Sequence, residues 1–291
     1  MLNLFKQRSL TSSQRRYPQI LLWALFVVVS IACFYTTFQW LDYKYSMAET
    51  YYSHGYLIPF VSAYLMYLKK DDLVSAQLGS NLWGLAVIVF SLMLHVFSVV
   101  SSINFISAFA MIFFLTGCSL FLLGNHLTKL IAFPLAYLVF LCPIPDSAIN
   151  YIALPSKVMA TKIALQIVDA IGIPFIQEGF RVHLVNSTYI VGTPCNGMRS
   201  LIAFLALGVL IVHFMSTSVW KKAVFLVAIP PLAVVLNGVR IAILLLVANK
   251  FGQEAASPES YLHDGSGLLV FVVGMIGMMI IYGLINEKKN N

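Results

Sequence analysis

The apolar positions of this chain fall into long unbroken runs, not into alternating or one-sided stripes. Eight runs stand out, at residues 20–38, 53–68, 82–100, 103–123, 127–141, 198–215, 223–248 and 266–285. A bilayer crossing takes about 20 apolar residues, and the second and fifth runs fall short of that. The pattern predicts an all-α polytopic membrane protein with about eight transmembrane helices. One stretch, residues 142–194, interrupts the runs. In its first half, Lys157, Thr161, Lys162, Gln166 and Asp169 take one side, and Val158, Met159, Ile163, Ile167 and Val168 another. That spacing predicts a helix over 154–169 lying in the membrane interface. Its second half, 175–191, is rich in β-branched and aromatic residues and broken at Glu178-Gly179 and Asn186-Ser187, which predicts a small hairpin.

Charge supplies the orientation. Basic residues collect on cytoplasmic loops. The clusters here are Lys6, Arg8, Arg15 and Arg16 at the start, then Lys69 and Lys70, Lys129, Lys221 and Lys222, and Lys288 and Lys289. They alternate with the runs so that both termini are expected inside. The 142–194 loop is then expected on the outer side of the membrane. No Ala-x-Ala site follows the first run, so it reads as a retained helix.

Composition narrows the function. Charged residues make up 10% of the 291 positions, against about 25% in soluble domains, and mean hydropathy is +0.87. A large water-soluble catalytic domain has no room. The chain is expected to form a single membrane domain, 1–291, with a basic cytoplasmic segment at 1–16 and catalytic spans at 195–285. The net charge of +7 sits in the topology clusters, which argues against a nucleic-acid partner. Four cysteines show no CxxC spacing, and the six histidines, including His95, His126, His183 and His213, show no HExxH spacing. Neither a metal site nor a cofactor is expected.

Polar groups inside or beside the runs are expensive in hydrocarbon and are candidates for function. Cys195 stands in Gly192-Thr193-Pro194-Cys195-Asn196-Gly197-Met198-Arg199, at the outer start of the sixth run. With Thr193 as helix cap and Pro194 at the first helical position, its sulfur is expected near free amides and the positive dipole end, an environment that favours thiolate. The plainer role is a small buried apolar side chain. Arg240, in Asn237-Gly238-Val239-Arg240, is 18 residues beyond Lys222, about 27 Å of helix, which puts it near the same outer plane. The plainer role there is snorkelling to lipid phosphates. His263 immediately precedes the eighth run on the same side, where a histidine is otherwise merely solvated. A thiol, a fixed cation and an acid/base at one depth can perform acyl transfer. Arg199, four residues after Cys195, is expected one turn along the same helix face. It is placed to hold the thiolate, to bind a substrate carboxylate or to pair with a lipid. His54, in Ser53-His54-Gly55, stands at another outer helix start.

Two rivals differ in kind. A transporter or lipid-linked-sugar carrier would use Arg240 and Arg199 on an anionic head group, although transporters place such sites near the midplane between repeats. A structural disulfide between Cys195 and Cys142 would suit the oxidising outer face.

The chain resembles the exosortases, relatives of the archaeal archaeosortases. The resemblance is carried by Ser53-His54-Gly55-Tyr56-Leu57-Ile58-Pro59 and by Phe133-Pro134-Leu135-Ala136-Tyr137-Leu138 with Pro143-Ile144-Pro145. It continues in Cys195-Asn196-Gly197-Met198-Arg199-Ser200-Leu201, in Asn237-Gly238-Val239-Arg240, and in His263 before a glycine-containing last run. It implies a membrane cysteine protease or transpeptidase of the bacterial inner membrane, its active site facing the periplasm, with Cys195, Arg240 and His263 as catalytic residues; Asn196, Arg199, Asn237 and His54 are expected beside them to bind substrate or to support them. The implied substrates carry a C-terminal sorting signal, in which a short motif such as Pro-Glu-Pro precedes an apolar helix and a basic tail. The implied partners are those proteins, an envelope acceptor that is lipid- or polysaccharide-linked, and membrane lipids. Asn196 departs from the family pattern, in which many members carry Ser.

Overall fold

The computed structural model describes residues 28–47, 50–192, 195–257 and 259–286. In chain order the helices are α1 (Tyr35–Ser46), α2 (Ile58–Tyr67, after a 3-10 turn Ser53–Tyr56), α3 (Lys70–Ser75), α4 (Trp83–Ser101) and α5 (Asn104–Leu130). Next come α6 (Ala132–Tyr137, continued by a 3-10 turn Leu138–Leu141) and α7 (Asp146–Ala170). Strands β1 (Phe175–Glu178), β2 (Arg181–Leu184) and β3 (Thr188–Ile190) follow, and then α8 (Met198–Phe214), α9 (Val219–Phe251) and α10 (Tyr261–Ile285).

Among the described residues, α4, α5, α9 and α10 are long and apolar enough to cross a membrane. A fifth span is added if α6 and α7, bent by 78° where they meet, are one broken crossing. The third, fourth, seventh and eighth apolar runs therefore correspond to full-length helices. The first run lies outside the described residues over 20–27. The second is the ten-residue α2, and the fifth is divided between the end of α5 and α6. The break falls at Ile131, which caps α6, and Gly124, with φ 80°, kinks α5 just before the run begins.

Two compact units make up the chain: Met1–Tyr43 with Ala76–Lys129, and Lys44–Ser75 with Leu130–Asn291. In the first, α4 and α5 are joined by a tight turn at Ser102, whose left-handed φ of 57° lets Ile103 N–H close on Ser98 O at 3.0 Å. The helices touch backbone to backbone at Gly84, where a Cβ would strike Phe121 N and Gly117 O. A buried polar chain crosses this unit: Thr37 Oγ1 to Ser107 Oγ at 2.5 Å and Ser107 Oγ to His95 Nδ1 at 2.6 Å.

The second unit is built on α9, which packs along α7, α8 and α10. The 142–194 segment holds a helix, as expected, but of 25 residues starting at Asp146. The side it packs on the protein takes in Val168, with Ile163 and Ile167 half-buried, from the expected apolar side, together with small residues from beyond it. Ala153, Ala160, Thr161, Ala164 and Val168 are buried, whereas Val158 and Met159 are exposed. Close approach to α9 selects small side chains: a Cβ on Gly238 would come within 2.7 Å of Ile163 Cγ2 and 3.1 Å of Ala160 O. The expected hairpin is a three-stranded antiparallel sheet in the order β1-β2-β3; the break expected at Glu178-Gly179 is where β1 ends and its turn begins, and the one at Asn186-Ser187 lies between β2 and β3. Gly179 takes φ 63° in the first turn. Register pairs Phe175 with Leu184 and Arg181 with Ile190. Its inner face, Val182, Tyr189 and Val191, joins Ala160, Ala164, Leu165, Ile241, Leu245 and Cys195 in one core.

Candidate active site at the start of α8

Cys195 precedes its helix. Gly197, with φ 76°, caps α8, and Met198 is the first helical residue. The expected cap Thr193 and Pro194 lie outside the described residues, and the helix begins later than expected because a left-handed residue cannot sit within it. Arg199 is therefore not one turn along a shared helix face from Cys195. Asn196 Oδ1 accepts from Met198 N–H at 3.0 Å and organises this turn.

Three elements converge on Cys195, which is only 2% exposed. From α9, Asn237 Nδ2 donates to the Cys195 carbonyl at 2.7 Å and packs on Gly197, where a Cβ would lie 3.0 Å from the amide. From β3, the Tyr189 hydroxyl lies 3.5 Å from Cys195 Sγ. Burial, and then the neighbouring Cys195, hold this phenol protonated well above the usual tyrosine range. From α7, Lys157 is in electrostatic reach of Cys195, with its Nζ 4.0 Å from the centre of the Phe180 ring.

One turn beyond Asn237 on α9, Arg240 meets the start of α10. Its Nη2 lies 3.4 Å from His263 Nε2 and 3.5 Å from His263 O, and its Nε 3.4 Å from Ser266 Oγ. A guanidinium cannot accept a hydrogen bond, so Nε2 is the acceptor and the imidazole proton sits on Nδ1. Gly267 leaves room for the guanidinium: a Cβ there would stand 3.2 Å from Nη2. Ser260 caps α10 by accepting from Leu262 N–H, which fixes the turn that presents His263.

The supporting residues meet the segment before α2. Arg199 Nε donates to Thr50 O at 2.7 Å, and Asn196 Nδ2 to Tyr51 Oη at 2.7 Å. In the same segment Tyr52 Oη accepts from Ile144 N–H at 2.9 Å, and burial pushes its phenol up to about 12. Gly55 lies against the Tyr45 ring, with no space for a side chain. His54 packs 6.1 Å from the Tyr52 ring, and both its ring nitrogens are buried without a hydrogen bond among the described residues. Cys142 and Cys195 are both free thiols.

The structure thus brings Arg240 onto His263, and Asn237 onto Cys195, along one face of one helix. Tyr189 and Lys157 were missed as site residues. The signal for Tyr189 is its place on the inner side of an alternating strand, where a phenol needs a partner. Lys157 carries no such signal, since its charge reads equally as the polar face of an interfacial helix.

No curated protein and no solved structure matches the chain. The family model for transmembrane exosortases matches residues 40–280, which include every residue of the site. The chain belongs to the transmembrane exosortase family.

Proposed function

We propose that this protein is a membrane cysteine transpeptidase that cleaves the C-terminal sorting signal of exported proteins at the outer face of a bacterial inner membrane. The observation that carries the reading is the spacing on α9: Asn237 holds the Cys195 backbone, and Arg240, one turn on, holds His263. The topology proposed with it has eight spans and both ends in the cytoplasm, which puts this cluster on the periplasmic side.

In the proposed reaction the substrate's apolar tail enters between α8, α9 and α10 and presents its motif beside Cys195. The Cys195 thiol gives its proton to His263 Nε2, and the sulfur attacks the scissile carbonyl carbon. Arg240 releases Nε2 as this happens, and its guanidinium turns to the developing oxyanion. The C–N bond then breaks, His263 returns the proton to the leaving amine, and a thioester remains on Cys195. An acceptor nucleophile displaces the thioester, with His263 taking its proton. The burial of the sulfur restrains competing hydrolysis.

Cys195→Ala, expressed with a substrate carrying motif, apolar helix and basic tail, tests the reading. Release of the tail and any covalent intermediate are expected to vanish. Tail release at the wild-type rate overturns it.

A further inference from the structure

The Tyr189 hydroxyl has one hydrogen-bond partner among the described residues, the Cys195 sulfur at 3.5 Å, within the usual range for sulfur. Both side chains are buried, Tyr189 at 6% exposure and Cys195 at 2%. A phenylalanine would fill the same ring space, so the hydroxyl's contribution here is its bond to sulfur.

The strand holds that hydroxyl in place. Leu184 N–H bonds Ser187 O at 2.8 Å and Val191 N–H bonds Phe180 O at 2.9 Å, closing the β2–β3 ladder on either side of the Val182–Tyr189 pair. Val182 and Val191 are fully buried beside it. A slip of one residue would turn Tyr189 to the other face, so the register aims the phenol at the sulfur.

The other charged groups near Cys195 are engaged elsewhere. Lys157, from α7, lies over Phe180, and Arg240, from α9, is on His263 of α10. Tyr189, from β3, is the group with its polar atom on the sulfur itself.

We infer that Tyr189 is a positioning residue for the nucleophile: its hydroxyl donates a hydrogen bond to the Cys195 thiolate and fixes the direction in which the remaining sulfur lone pairs point. The inference rests on the proposed role of Cys195 as nucleophile. No proton leaves the phenol. It stays neutral and polarises toward sulfur while the thiolate exists, and the bond weakens when the sulfur becomes acylated.

The test is the pH dependence of Cys195 alkylation by a small iodoacetamide in the purified full-length protein, read by mass spectrometry on the Cys195 peptide so that Cys33, Cys118 and Cys142 do not contribute. Tyr189→Phe keeps the ring packing and removes the donor. Its rate-against-pH curve is expected about one unit to the alkaline side of wild type, the size of one hydrogen bond to a charged group. Incorporation of 3-fluorotyrosine at 189 retains the hydroxyl and is expected to show no alkaline displacement. A Tyr189→Phe curve that coincides with wild type overturns the inference, as does an equal displacement with 3-fluorotyrosine, which would trace the effect to packing. The measurement needs no substrate. A displaced curve in a protein that cleaves no sorting signal overturns the transpeptidase reading alone. Normal cleavage by the wild type with no displacement in Tyr189→Phe overturns the positioning role alone.

Discussion

Arg240 on α9 donates to Nε2 of His263 on α10 across 3.4 Å, and this contact makes the cation and the imidazole one unit. A fork of N–H groups can hold the histidine and Ser266 together, whereas an ammonium is a single point charge on a different stem. Arg240→Lys is therefore expected to lower tail release by about 10² to 10³, the loss typical of an oxyanion donor. Alkylation of Cys195 should persist, because the thiol itself is untouched. Pulse-chase of a tailed substrate alongside thiol labelling checks both, and processing within a few-fold of wild type would remove Arg240 from the mechanism.

Gly267 separates the Arg240 contact from helix stability. A Cβ would lie 3.2 Å from Nη2 and 3.4 Å from Cζ of Arg240, close enough that the guanidinium must shift by a few tenths of an ångström. Gly267→Ala is expected to keep most processing and to raise the thermal midpoint, since alanine favours a helix by about 1 kcal/mol over glycine. Gly267→Val adds two γ carbons that push the guanidinium off His263, and processing should fall at least about tenfold with the midpoint little changed. Full activity in the valine variant would mean that the contact is dispensable.

The sequence already held the outline of this arrangement. Four of the long apolar runs become full-length helices, and Cys195, Arg240 and His263 stand out because polar groups are scarce in and beside such runs. Two features were not legible. The turn at Gly197 depends on a backbone angle that residue identity permits but does not demand, so Arg199 was expected beside Cys195 and instead holds Thr50. The buried face of α7 depends on its neighbour: Gly238 brings α9 so close that alanines are buried and the larger Val158 and Met159 turn outward.

Gly197 and Asn237 are expected to act as a pair. Gly197→Ala puts an L side chain at φ 76° and 3.0 Å from the Asn237 amide, which should destabilise the protein by about 1–2 kcal/mol. Asn237→Leu leaves the buried Cys195 carbonyl without its donor, a loss of about 1–3 kcal/mol. Because both changes act on one peptide turn, the double variant should be less destabilised than the sum of the two. Thermal unfolding of the four proteins in one detergent measures the coupling, and strict additivity would contradict a shared turn.

Tyr52 provides a pH signature outside the spans. Burial lifts its phenol from 10.0 to about 12, so between those values the folded protein holds a proton that the unfolded chain releases. The sign follows from linkage: stability from this group is fully present below pH 10 and is lost as pH rises through about 12. The thermal midpoint of the wild type should therefore fall between pH 10 and 12 more steeply than that of Tyr52→Phe. At pH 8 the variant is expected to be the less stable of the two, because Ile144 N–H loses its acceptor. The two curves should converge as the pH climbs, and parallel curves across that range would show that Tyr52 is not buried as described.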